Sequence, residues 1–596
     1  MTESPTRLRR ALPMLALAGV SFAVGAIVGG GHSVPASHKL ASQFVAAWAR
    51  GDYPAMYSYL DTSSQRAITP AAFAAAYRQA LTTATATSVQ LAGKPSGRGE
   101  GIVAVPALAR TNLFGTLRLS FMLKIVRGKS GEGERVAWSR SMLFPGLFAG
   151  EQLTRATTLP RRAAVLARDG SVLAEGSPRV LAGEQTRSSP LGEVASAVLG
   201  AVGPIPAARR RSLEAQGVPA DATVGLTGLE LALDDRLRGT PGGQLLAESP
   251  QAGGTRRVLA SAVSRPAPAF RSSVSPSIQR AAVIALGGQL GGIVAMDPSS
   301  GRIVAVAGIG LDGLQPPGST FKMITLSGAL EAGIANPHTV FPYASYATLD
   351  GVRLNNANGE NCGGTLELAF AVSCNSVFTP LGVKLGATRL VSMAERFGFN
   401  HDTGLPGAEQ STLPAAPAIQ GELAVGSTAI GQGQVLATPL QMATVAATIA
   451  DGGRRPTPTF EDGTHAAAVP AIMATVARTV RRLMIAVVRA GTGTSAAIPG
   501  VTVAGKTGTA ELKTECSSTG SETASREENG SASGAEGCGS SSHQASNTDA
   551  WFAAFAPALR PRIVVAVLLV KDGAGGETAA PVARQVLEAG LQARAH

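Results

Sequence analysis

Behind the basic segment Arg7-Leu8-Arg9-Arg10 lies Ala11–Gly31, a run with no charged side chain. A helix of about 20 apolar residues spans the hydrocarbon of a bilayer, and a basic flank stays on the cytoplasmic side. The chain therefore reads as a cytoplasmic tail (1–10), a single N-terminal membrane anchor (11–31) and a remainder that must fold outside the cytoplasm. A cleaved signal peptide with a small-residue site near Ala36 is the competing reading. It delivers the remainder to the same side. No cysteine sits close enough for lipid anchoring, and no later segment is apolar for long enough to cross again.

The 596 residues exceed what one core can organise and imply a multidomain chain. The net charge of +12 is spread along the sequence, and aromatics make up only 4%. That pattern argues against nucleic acid and leaves a general attraction to anionic surfaces such as the cytoplasmic membrane. Four cysteines, Cys362, Cys374, Cys516 and Cys538, allow three disulfide pairings on an oxidising side of a membrane. There is no C-x-x-C, and the seven histidines show no ligand spacing. No metal and no cofactor are expected.

Residues 37–150 read as a small α+β domain. Leu40, Phe44, Ala47 and Trp48 recur at helical spacing, and that helix should stop at Gly51. A second helix opens with Thr69 as N-cap and Pro70 in its first position; strands such as "TLRLSFMLKIVRG" follow. Residues 151–270 hold short elements among Arg, Pro and Gly. They include a hairpin over Arg161–Gly176 turning at Asp169-Gly170, and a helix within Gly225–Gly242. From 274 to 596 the texture is an ordered α/β domain: a helix over Ser275–Leu286, a hairpin over Gly291–Gly308, strands at Ala550–Ala558 and Arg562–Gly573, and a final helix. Between 511 and 549 lies a Ser/Gly/Glu-rich insert with almost no large apolar residue. It should be a flexible loop, closed by a Cys516–Cys538 bridge.

Gly500–Thr507 fits the G-x-x-x-x-G-K-[ST] pattern of a phosphate-binding loop. That loop needs a helix starting at its Lys-Thr pair. Here β-branched Val501, Thr502 and Val503 precede Lys506, and the insert follows. A strand is expected instead, with Lys506, Thr507 and Gly508 along a sheet edge beside a cleft. Upstream, Ser319-Thr320-Phe321-Lys322 forms S-x-x-K. On a helix, i and i+3 share a face, which sets the Lys322 amine beside the Ser319 hydroxyl. Burial and the charge of Lys506 favour neutral Lys322, able to take the hydroxyl proton. Between them Ser373-Cys374-Asn375 forms S-x-N, a hydroxyl to relay a proton and an amide to bind a peptide backbone.

Each motif alone is common; the ordered triple S-x-x-K, S-x-N, K-T-G inside one α/β domain is not. With "PGSTFK", "FGFNHDTGLPGAE", "AIGQGQVLATPLQMA" and "AGKTGTAE", the chain resembles a class B penicillin-binding protein, a monofunctional peptidoglycan transpeptidase. The resemblance implies a transpeptidase domain of the serine β-lactamase-like fold. It extends through "DGSVLA" and "GLTGLE" to an irregular pedestal or dimerisation domain. The helix–helix–strands order at 37–150 resembles the nuclear-transport-factor-like cone domain that precedes some of these enzymes. By family role, Ser319 is acylated, Lys322 is its base and Ser373 relays the proton. Asn375, Lys506, Thr507, Gly508 and Thr509 hold the substrate, with the N–H groups of Ser319 and Thr509 as oxyanion hole. Peptidoglycan stem peptides, β-lactams and a glycosyltransferase or division/elongation protein are the implied partners. D,D-carboxypeptidase, and a β-lactam sensor or division scaffold without turnover, are the alternatives. A class A β-lactamase would need an E-x-x-x-N for deacylation, and a bifunctional enzyme an E-D-x-x-F after the anchor; neither is found.

Overall fold

The computed structural model describes residues 34–128, 133–181, 184–251, 254–463, 468–511 and 547–593. The anchor expected at 11–31 and Cys516 and Cys538 of the insert lie outside them. Among the described residues no helix is long and apolar enough to cross a membrane. The chain divides into two compact units, the first built from residues up to 111, from 115–153 and from 247–257.

In the first unit, α1 (Ala36–Ala49), α2 (Tyr53–Ser58), α3 (Thr62–Ala67) and α4 (Pro70–Thr83) precede a sheet. Its main strands are β1 (Ala86–Leu91), β2 (Ile102–Thr111), β3 (Gly115–Arg127) and β4 (Glu134–Val136), paired in that order. The Thr69 hydroxyl accepts from the Ala72 N–H at 3.3 Å, which caps α4 as its sequence demands. The Leu40, Phe44, Ala47 and Trp48 face of α1 is buried, with Trp48 edge-on to Phe121 of β3 at 4.4 Å between ring centroids.

In the second unit the hairpin turning at Asp169-Gly170 joins β5 (Val165–Leu166) to β6 (Val172–Leu181). The helix expected within Gly225–Gly242 is two pieces, α5 (Gly228–Ala232) and α6 (Asp234–Leu237), broken at Leu233 (φ −113°, ψ 12°). The break turns Asp234 inward. Its carboxylate accepts from the Gly225 N–H at 2.9 Å and pairs with Arg162, Arg209 and Arg238 at 2.6–2.7 Å. Glu230, fully buried, pairs with Arg162 and Arg187 at 2.6 and 2.7 Å. Removing one partner of such a buried network strands a charge, at about 3–5 kcal/mol.

The central sheet is antiparallel. Its strands are β7 (Gly291–Met296), β8 (Ile303–Gly308), β9 (Ala504–Glu511), β10 (Thr548–Ala556) and β11 (Ile563–Leu569), in the order β8-β7-β11-β10-β9. The register sets Lys506 opposite Ala553 and Thr509 opposite Ala550. Helices α7 (Pro276–Leu286) and the C-terminal α13 (Ala579–Gln592) cover one face through Ile278, Ala282, Val586 and Leu587. Against the other lie α8 (Lys322–Glu331), α9 (Leu366–Ala371), α10 (Asn375–Leu385), α11 (Pro439–Ala450) and α12 (Ala474–Ala490). Burial on both faces explains why β10 from Ala550 onward and all of β11 read as unbroken apolar runs. The same core continues through Val165, Leu173, Leu229 and Leu237.

β9 is an edge strand, as expected, but it starts at Ala504 rather than Val501. Val501 turns back, its N–H donating to Ile498 O at 3.1 Å, and Thr502 O accepts from the Ala558 N–H at 2.7 Å. At the far end of the insert, Thr548 and Asp549 already belong to β10.

Candidate active site

Ser319 sits in a 3-10 turn, Gly318–Phe321, that feeds directly into α8. Two proline residues set its entry, and Pro317 O accepts from both the Thr320 N–H at 3.3 Å and the Thr320 hydroxyl at 2.6 Å. Gly318 has φ +51°, and a Cβ there would lie 2.6 Å from Thr509 O. Only glycine lets the turn approach the edge strand so closely. On its other side the Gly318 N–H donates to Gly431 O at 3.0 Å, which gives the "AIGQGQ" stretch its place. A Cβ on Gly508 would meet Pro317 O at 2.7 Å. The Ser319 turn is thus wedged between K-T-G and Gly431.

Lys322 is fully buried. Its amine does not hydrogen-bond Ser319, as i, i+3 spacing suggests; it turns to S-x-N. Nζ lies 2.7 Å from Ser373 O, 2.7 Å from Asn375 Oδ1 and 3.3 Å from Ser373 Oγ. Two of these partners can only accept, and they use the two N–H bonds of a neutral amine; the Ser373 hydroxyl can donate to its lone pair. The lysine bends away because α8 is preceded by a tighter turn, and because Ser373, at φ +64°, aims its carbonyl and hydroxyl at the amine. Ser319 Oγ makes no side-chain hydrogen bond among the described residues, and Ser319 is half-buried.

Lys506, also fully buried, donates to Ser373 Oγ at 2.8 Å and Thr507 O at 3.1 Å. Both amines therefore converge on one hydroxyl. Burial, and then the charge of Lys506, hold the Lys322 amine well below the usual lysine range. Burial alone pushes Lys506 down to about 7. Phenylalanine rings flank each amine: Phe378 lies 5.5 Å from Lys322 Nζ and Phe370 5.5 Å from Lys506 Nζ.

The S-x-N segment is braced three ways. Cys374 is bonded to Cys362, with Cα atoms 5.9 Å apart. This bridge excludes both pairings that would join either cysteine to Cys516 or Cys538. The Asn375 amide donates to Asn355 O at 2.8 Å, and the Ser376 N–H to Asn356 Oδ1 at 2.8 Å. Beyond K-T-G, the Thr507 and Thr492 hydroxyls are 2.6 Å apart. Thr492, Asn355, Asn356, Phe370 and Phe378 carry no signal in the sequence; only the fold brings them here. Among the described residues no group of three or more His, Cys, Asp or Glu could hold a metal.

Three family models cover the chain. The penicillin-binding protein transpeptidase domain matches residues 291–588, the penicillin-binding protein dimerisation domain 179–265, and the NTF2-like N-terminal transpeptidase domain 36–151. The peptidoglycan D,D-transpeptidase PbpA of Mycolicibacterium smegmatis is 32% identical over 389 residues, 54% of this chain and 72% of that one. PbpA of Mycobacterium tuberculosis is 36% identical over 304 residues, 46% of this chain and 55%, about half, of its own length. Among solved structures, the D,D-transpeptidase domain of a peptidoglycan glycosyltransferase from Eggerthella lenta aligns with TM-score 0.54 at 29% identity, covering 72% of this chain and 98% of that one. A ceftriaxone acyl-enzyme complex of penicillin-binding protein A from M. tuberculosis aligns with TM-score 0.53 at 27% identity, covering 72% and 98%. The chain belongs to the penicillin-binding protein transpeptidase family. It is a multidomain member, with NTF2-like, dimerisation and transpeptidase domains.

Proposed function

We propose that this protein crosslinks peptidoglycan as a serine D,D-transpeptidase that β-lactams acylate. The observation that carries the reading is the convergence on Ser373 Oγ, beside the Ser319 turn, of two buried lysines that have no acidic partner among the described residues. A neutral amine is a competent base, and the second cation keeps it neutral. In this account Lys322 turns from Asn375 to Ser319 and takes the hydroxyl proton as Ser319 Oγ attacks the carbonyl of the terminal D-Ala-D-Ala bond. The N–H groups of Ser319 and Thr509 hold the developing oxyanion. Ser373 passes a proton to the leaving D-Ala amine. Asn375 holds the stem peptide, Gly508 lets β9 lie against the nucleophile turn, and Lys506 with Thr507 faces the substrate carboxylate. An amine of a neighbouring stem peptide then displaces Ser319, giving the crosslink and free enzyme.

We place the catalytic unit outside the cytoplasm, tethered by residues 11–31 and working with a glycosyltransferase or a division or elongation protein. A stem-peptide donor offered with and without an acceptor amine tests the reaction. Crosslinked product that requires the acceptor supports transpeptidation. Hydrolysis alone identifies a D,D-carboxypeptidase, and penicillin labelling without either product identifies a sensor or scaffold.

A further inference from the structure

Arg455 differs from four other buried or part-buried arginines of this unit. Arg162, Arg187, Arg209 and Arg238 each pair with a carboxylate at 2.6–2.7 Å. Half-buried Arg455 pairs with none among the described residues. Its one side-chain hydrogen bond among the described residues is a long one, Nη1 to Glu395 O at 3.3 Å, and burial depresses its pKa. A guanidinium carries five donors in a planar fork that matches a two-oxygen acceptor, so most of this fork is unused.

The fork opens on a cavity of about 100 Å³. One wall is α11, which presents Gln441 and Thr444, 6% and 5% exposed. The Gln441 amide N–H₂ is committed to Phe397 O at 2.8 Å and the Thr444 hydroxyl to Leu440 O at 2.9 Å. The "FGFNHD" stretch also lines it, with Gly398, His401 and Asp402. Asp402 Oδ1 is occupied by the Gly404 N–H at 2.9 Å and does not reach the guanidinium. Gly398 makes room: a Cβ there would lie 3.0 Å from Arg455 Nη1 and 3.2 Å from Gln441 Nε2. A half-buried charge without an opposite charge beside it is partly desolvated without compensation, and an anion in the cavity would offset that cost. The volume suits a single small oxyanion.

We propose that this cavity is a second ligand site, separate from Ser319, that binds one carboxylate or phosphate group on the Arg455 guanidinium with His401 beside it. Phe399, next in sequence to the lining residue Gly398, packs edge-on against Phe321 of S-x-x-K at 5.4 Å between ring centroids.

Calorimetric titration of the full chain with sodium phosphate, sodium acetate and glycerol 3-phosphate tests the site, with sodium chloride at equal ionic strength as control. Saturable binding of at least one oxyanion in the millimolar range is expected. Arg455→Gln should weaken it by about tenfold or more, and Arg455→Lys, which keeps charge but loses the fork, by less. Tighter binding of glycerol 3-phosphate than of free phosphate points to an anionic headgroup or polymer as source; the reverse points to a free anion. Penicillin labelling retained in both variants shows that they fold. Absence of saturable binding, or binding unchanged in Arg455→Gln, overturns the proposal and leaves the transpeptidase reading untouched.

Discussion

Replacing Lys506 by methionine should move the acid limb of penicillin acylation toward higher pH. The limb arises where Lys322 gains a proton and can no longer serve as base. Lys506, pushed down to about 7 by burial, is charged throughout the acid range, and its charge opposes that protonation. The two amines share Ser373 Oγ at 3.3 and 2.8 Å. Their nitrogens are then at most about 6 Å apart, where two unit charges repel by about 3 kcal/mol at an effective dielectric of about 20. Removing that repulsion favours protonated Lys322 by about two orders of magnitude. Methionine fills the same buried space against Phe370 without the charge. The assay is the second-order rate constant for labelling by a fluorescent penicillin, followed from acid to alkaline pH in both proteins. The variant's plateau should also fall if Lys506 faces the substrate carboxylate as proposed, but the position of the limb is independent of its height. A limb that stays in place, or moves to lower pH, refutes the electrostatic account of Lys322.

The same lysine sets a stability signature: with its folded pKa depressed to about 7, the unfolded chain binds the extra proton between that value and the free-lysine value of about 10.4. Wild-type protein should therefore gain stability as pH rises through this window, and thermal melts of Lys506→Met should show a flatter rise. Opening the Cys362–Cys374 bridge, which spans 12 residues of sequence, with a double Cys→Ser substitution should cost about 3 kcal/mol in denaturant titrations. It should also slow acylation, because Ser373 and Asn375 flank Cys374. Ser373→Ala and Ser373→Gly both remove the shared hydroxyl and should slow labelling alike. The glycine variant should be the more stable by about 1 kcal/mol, since φ +64° strains a β-carbon.

What the sequence made legible was local. Thr69-Pro70 announced α4, Asp169-Gly170 a turn, and the apolar runs at Gly291–Met296 and Ile563–Leu569 strands, because caps, turns and burial patterns act over a few residues. The three motifs marked Ser319, Lys322, Ser373, Asn375 and Lys506, and the fold links the side chains of Asn375, Lys322, Ser373 and Lys506 in one hydrogen-bonded chain. Long-range demands were not legible. Leu226 to Leu237 has helical composition, yet Gly225 and three arginines draw Asp234 inward and break the helix at Leu233. Val501–Val503 has strand composition, yet its polar backbone is spent on Ile498 and Ala558. Helical spacing pointed the Lys322 amine at Ser319, whereas the unusual backbone of Ser373 captures it. Thr492 reaches Thr507, 15 residues on, only because α12 returns to the edge strand.

Intact-mass spectrometry of the protein after penicillin treatment tests the central claim most directly. Ser319 Oγ makes no side-chain hydrogen bond among the described residues, so Ser319→Ala should cost at most about 1 kcal/mol of stability while removing the nucleophile. The account predicts one covalent penicillin adduct per wild-type chain, mapped by peptide fragmentation to Ser319, and no adduct in a Ser319→Ala protein that melts as wild type does. An adduct that persists in Ser319→Ala, or that maps to another serine, contradicts it.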